Sequence, residues 1–253
     1  LGAGLGLLIA SAARPTRGST GEVEVAGYGG VSSGGWACGP TGHVAYGGVG
    51  TDVRLSQRGN RDPNGPGATG VVGVGLEHQS FECDGGCNDY YDEQGKLRRS
   101  SPPDGLLVGA RARGGYTWKH FGVEGGALVY QGFESADASE PSLGVFPELE
   151  LQGGTHGETS IYGVAGLGSR GVTTHQRPGA YVGVTAEGEA GRLDLRVGPA
   201  RSGPSMLDTS GQRIDLGGRV RVSEELSIRA GGAVSFPEGT VDGEASLGLV
   251  GGF

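Results

Sequence analysis

Two polar residues on one strand face are the clearest candidates for covalent chemistry in this chain. His78 and Ser80, in the stretch LEHQSFE, are two positions apart, so in an extended backbone both side chains leave the same side. A histidine beside a serine can take its hydroxyl proton and generate a nucleophile, provided a third polar group orients the ring. Asp104 is a candidate for that third role by position only. The competing reading is a strand end that carries polar residues because it meets water. The remaining histidines, His43, His120, His156 and His175, stand singly.

A larger set is electrostatic. Arg111, Arg113, Glu124, Glu148, Glu150, Glu187, Arg192, Asp194, Arg196, Arg213, Asp215, Arg219, Arg221, Arg229, Asp242 and Glu244 all fall on one parity of alternating segments, with Arg54 and Glu158 beside them. The opposite parity is apolar or glycine. Charges of both signs on one face can pair between neighbouring strands. Among the three cysteines, Cys83 and Cys87 lie in CDGGC, a glycine-turned loop that can close as a disulfide in an oxidising compartment, leaving Cys38 over. No grouping supplies the roughly four nitrogen or sulfur ligands of a zinc site, and no cofactor is expected.

The elements that carry these residues are strands. Twelve segments alternate apolar and polar with period two: 22–32, 43–55, 69–81, 105–118, 121–132, 143–152, 158–169, 179–188, 192–199, 212–222, 226–236 and 241–253. Most are near the ~9 to 11 residues that a tilted strand needs to cross a bilayer. From the fourth segment onward, short and long connections largely alternate. The longest, 82–104, carries Asp89-Tyr90-Tyr91-Asp92, read as a charged, solvated loop. The long connection 56–68 breaks the alternation, which leaves the strand count in the first third open and the total between ten and fourteen.

Composition sets the remaining bounds. The chain has 56 glycines and 12 prolines in 253 residues, a fraction that without alternation would suggest disorder. Net charge is -8 and only Lys96 and Lys119 are lysines, so no basic patch is available for nucleic acid. Residues 1–12, rich in Leu, Ala and Gly and ending Ala10-Ser11-Ala12, read as a truncated secretory signal ahead of a barrel spanning 22–253.

The last segment, VDGEASLGLVGGF, ends on Phe253 in register with its apolar face. It resembles the C-terminal strand of bacterial outer-membrane β-barrels. The resemblance implies an all-β, antiparallel up-and-down transmembrane barrel of about twelve strands. It also implies an outer-membrane location with both termini periplasmic, and an assembly signal at Phe253 read by the barrel-assembly machinery. Membrane lipid and small polar solutes are the other implied partners. The charged parity then lines the lumen, with Tyr28, Tyr130, Phe146, Tyr162 and Tyr181 beside it. Trp118, Phe121 and Phe253 belong to one interfacial belt and Phe236 to the other. The His78/Ser80 pair resembles the catalytic pair of outer-membrane phospholipases and lipid A deacylases, which usually continue with Asn and a small residue where this chain has Phe81 and Glu82. Three functions follow: a narrow porin-like channel or structural barrel with a charge-lined lumen, an outer-leaflet lipid esterase, or a partner-binding surface barrel. The first is favoured, which makes the protein more a channel or scaffold than an enzyme.

Overall fold

The computed structural model describes residues 19–33, 42–58, 67–83, 90–91, 97–98, 105–134, 143–155, 159–168, 179–201, 209–236 and 241–253. Their regular structure is entirely strand: β1 (Ser19–Ser33), β2 (Gly42–Arg58), β3 (Gly67–Cys83), β4 (Tyr90–Tyr91), β5 (Leu97–Arg98), β6 (Gly105–Thr117), β7 (Phe121–Glu134), β8 (Leu143–Thr155), β9 (Ser160–Gly168), β10 (Gly179–Gly188), β11 (Gly191–Arg201), β12 (Thr209–Arg221), β13 (Leu226–Phe236) and β14 (Asp242–Gly252). Twelve of these close into one antiparallel barrel, each pairing with its neighbours in chain order. The two-residue strands β4 and β5 form a separate ribbon inside the longest connection. Tyr90 and Tyr91 are therefore strand residues, a local pairing that two-residue segments are too short to announce by alternation. No strand is lost in the first third. β2 and β3 stay paired as far as Arg58 and Gly67, leaving only eight residues between them, 59–66. Residues 1–18, with Cys38, Cys87, Asp104 and Glu158, lie outside the described residues.

Closure joins β1 to β14 from Glu22 opposite Gly252 to Val31 opposite Gly243. Beyond Glu22 the pairing continues: the Phe253 N–H donates to the Gly21 carbonyl (2.9 Å), and the Gly21 N–H donates back (3.0 Å). The Phe253 ring lies over Gly21, in the space a β-carbon would fill. A closed sheet leaves no unpaired edge, which is the condition for placing strands in hydrocarbon.

Alternation sorts the side chains. Val182, Val220, Leu247, Ile161, Leu193 and Leu249 point outward, each more than half exposed, and Leu195 points the same way. The intervening positions turn in. At the end with the short turns, Tyr116, Trp118 and Phe121 cluster on the outer face, with ring centroids 4.8 and 5.8 Å apart. Phe236 sits at the other end of the wall, on β13.

Inside, tyrosines are seated on glycines directly across the ladder. Tyr28 faces Gly48, Tyr46 faces Gly30, Tyr130 faces Gly144 and Tyr181 faces Gly166. A β-carbon at Gly48 would stand 2.6 Å from the Tyr28 ring and 2.5 Å from the Leu76 carbonyl oxygen, so the ring needs the bare backbone. Four of the chain's glycines, Gly30, Gly48, Gly144 and Gly166, are thus seats for large rings inside a narrow tube.

Candidate functional site: the charged interior

The inward charges form a network that runs round the barrel. Its contacts mostly skip a strand. Arg111 on β6 pairs with Asp52 on β2, with β3 between them. Tyr28 on β1 donates to Glu77 on β3 (2.5 Å). Thr69 on β3 donates to Glu124 on β7 (3.1 Å), and Arg113 on β6 reaches both Glu124 (3.0 Å) and Glu148 on β8 (3.9 Å). Glu150 on β8 accepts from Tyr181 on β10 (2.6 Å) and Gln152 (2.9 Å), and pairs with Arg196 on β11 (3.3 Å). Arg196 also lies over the Tyr181 ring, 5.1 Å from its centroid.

The circuit continues through β12 to β14. Arg213 joins Asp215 (2.8 Å) and Glu244 (3.4 Å), and Glu244 accepts from Tyr46 on β2 (3.1 Å). Nearer the short-turn end, Arg219 bridges Glu22 (3.0 Å) and Glu187 (3.4 Å), Arg192 holds Asp194 (2.8 Å), and Arg229 holds Glu24 (3.1 Å).

Neighbouring strands of opposite sign do pair in places, Glu187 with Arg192 directly opposite it (4.0 Å) and Arg113 with Glu124 on the next strand (3.0 Å), but most contacts reach further round the wall. Several direct neighbours carry like charge. Glu124 stands opposite Glu150, and Arg192, Arg219 and Arg229 form one row across β11, β12 and β13. Like charges directly opposite cost stability. Opposite charges offset that cost: Arg113 and Arg196 for the two glutamates, Asp194 and Glu187 for Arg192, and carboxylates two or three strands round the wall for Arg219 and Arg229. Strand tilt in a closed barrel staggers the register, so the nearest inward side chain is often on a more distant strand.

Each inward residue read from the sequence and lying in a described strand sits on the inner parity, Arg221 at the exposed short-turn mouth and Asp242 buried on β14. The interior also holds apolar groups that the sequence reading passed over. Leu128 is fully enclosed, and Val71, Val164 and Val250 are buried on the inner parity. Their signal was there to find, since each is apolar where its strand alternates to polar.

His78 and Ser80 share the outer face of β3, beside Leu106 and Ala45 on the flanking strands. His78 is exposed. Among the described residues no hydrogen bond joins the two, and no carboxylate or amide orients the imidazole. The Cys83–Cys87 pairing falls outside the described residues, as does Asp104. No group of three or more His, Cys, Asp or Glu among the described residues is placed to hold a metal ion.

The molecule therefore inverts the usual order, with apolar side chains exposed all round the outside and buried, paired charges within. Water outside would make that arrangement unstable, and hydrocarbon makes it stable. The fold is a membrane-spanning β-barrel. No family model matches the chain, and no curated protein matches it. Similar solved structures include the translocator domain of the autotransporter NalP from Neisseria meningitidis (11% identity, 98% of this chain and 94% of that one, TM-score 0.46). The toluene transporter TodX from Pseudomonas putida is another (9%, 94% and 89%, 0.39). A third is the outer membrane protein opdK from Pseudomonas aeruginosa (8%, 93% and 98%, 0.33). At that distance they carry no activity or substrate over to this chain.

Proposed function

We propose that this chain is an integral barrel of a bacterial outer membrane, narrow, internally braced, and conducting only small ions. The observation that carries this reading is the burial of the inward charges. Glu77, Glu148, Glu150, Asp52 and Arg111 are all under a tenth exposed and are held by close partners, Tyr28, Arg113, Arg196 and the Arg111–Asp52 pair itself, instead of facing a broad aqueous bore. Twelve strands lie between the eight at which side chains fill a barrel and the sixteen or more that leave an open channel. The short-turn end, where Gly21 meets Phe253, faces the periplasm in this proposal. Phe253 also serves there as the signal read by the assembly machinery.

The test is electrical. Refolded protein in a planar bilayer should give small single-channel steps, and vesicles carrying it should not swell in isotonic disaccharide. Swelling at the rate of an open porin would refute the braced interior. A membrane that stays silent at every voltage would refute conduction and leave a scaffold.

A further inference from the structure

The interior is lopsided. Among the described inward residues of β1, β2, β7, β8, β9 and β10 are Tyr28, Tyr46, Tyr130, Phe146, Tyr162 and Tyr181. The inward residues described on β11 to β14 include no aromatic; Phe236, the one ring there within a strand, points out. In their place runs a row of small residues: Gly217 opposite Gly231, and Gly231 opposite Ser246.

These glycines differ from the tyrosine seats. A β-carbon at Gly217 would meet nothing within 4 Å. No neighbour demands the bare backbone there, yet a glycine occupies the position in the middle of a strand, where it weakens the strand. The space it leaves belongs to a cavity of about 40 Å³, enough for roughly three waters. Gly217, Gly231 and Ser246 floor the cavity, and Arg196, Asp215 and Arg229 wall it. Arg229 is the most open of the paired interior arginines, with 31% of its side chain exposed against 8% for Arg111.

We propose that this cavity is the constriction of the conducting path, so that ions cross the barrel off-axis along the β11–β14 wall. The permeant species are small inorganic ions that pass partly hydrated between Arg229 and Asp215 over the Gly217–Ser246 floor. The proposal rests on the conducting reading above and adds the place where conduction occurs. Charge at a constriction biases which ion enters. Removing the Arg229 guanidinium strips Glu24 of its 3.1 Å partner and leaves an uncompensated carboxylate near the path.

The experiment uses the full chain with Cys38, Cys83 and Cys87 replaced by serine, carrying Gly217→Cys or Leu128→Cys, with single-channel current recorded before and after a charged methanethiosulfonate. Modification at position 217 should reduce the conductance at least twofold, and reagent at position 128 should leave it unchanged. Ser246→Cys is a near-isosteric second probe of the same floor and should behave like Gly217→Cys. Arg229→Gln should shift the reversal potential toward cations. If the parent conducts and modification at 217 and 246, confirmed by mass, leaves the current intact, the path lies elsewhere and this inference fails alone. If the parent passes no current, it fails together with the conducting reading.

Discussion

Two arcs of the same wall solve the problem of a narrow polar interior in opposite ways. From β1 round through β6 to β10, the barrel is packed from within. Rings sit on glycines, and buried charges are held by close partners, as in the Arg111–Asp52 ion pair and the Tyr181–Glu150 hydrogen bond. From β11 to β14 the inward positions are Arg, Asp, Glu, Ser, Ala, Val and Gly, and three of the arginines keep more water than Arg111 (8%) or Arg113 (13%) do: Arg192, Arg219 and Arg229 have side chains 20%, 23% and 31% exposed. The first arc behaves as a protein core turned toward the barrel axis. The second behaves as the lining of a crevice. The same residue types therefore carry different consequences in the two arcs, and substitution can separate them.

The largest contrast should come from the arginines. Breaking a buried pair strands the partner's charge at a cost of ~3–5 kcal/mol. Arg111→Met leaves Asp52 enclosed, and its unfolding free energy from urea titration in lipid vesicles should fall by an amount in that range. Adding Asp52→Leu should restore most of the loss. Arg229→Met, in the open arc, should cost no more than ~1 kcal/mol, as for solvent-screened pairs. Equal losses at the two sites would erase the distinction between arcs.

Glycine seats come next. At Gly48 a methyl group meets both the Tyr28 ring and the backbone carbonyl of Leu76, and backbone yields little. Gly48→Ala should cost ~1–3 kcal/mol through overpacking, read from the same titration. Pairing it with Tyr28→Ala should recover only part, because the Leu76 carbonyl stays where it is.

How far these arcs were legible in the sequence follows from what alternation encodes. The segments 179–188 and 226–236 coincide residue for residue with β10 and β13, because a strand with one lipid face writes its period into the chain. Facing was legible for the same reason, and the outward parity of His78 and Ser80 with it. Most of the pairing inside was not. Arg196 meets Glu150 across three steps of the wall, and nothing local to either residue records the stagger that brings them together. Nor could the sequence distinguish the glycine at 48 from the glycine at 217. One sits opposite Tyr28 and the other opposite Asp194 and Gly231, a difference that exists only once the register is fixed.

A smaller effect tests the hydroxyls of the packed arc. Tyr181 donates 2.6 Å to Glu150, a carboxylate only 4% exposed. Tyr181→Phe keeps the ring on Gly166 and removes one of the hydrogen bonds that hold the charge. The expected loss is ~1–3 kcal/mol, toward the lower end because Arg196 and Gln152 remain on Glu150. Within the open arc, Ser246→Ala should change stability by less than ~0.5 kcal/mol, as at a site with no buried network to disrupt.

The smallest expected effect carries the most information about purpose. Gly217→Ala adds a methyl group where no atom lies within 4 Å. Mid-strand alanine is favoured over glycine by ~0.5–1 kcal/mol through the unfolded chain's entropy. The variant should therefore be as stable as the parent or slightly more so, the opposite sign from Gly48→Ala. If Gly217→Ala instead destabilises the barrel by as much as Gly48→Ala does, the glycine is needed for folding and the two arcs are packed alike. If it is neutral or stabilising while conductance falls, folding does not require the glycine. The barrel then forgoes strand stability at this position to keep the space beside Arg229 and Asp215 clear.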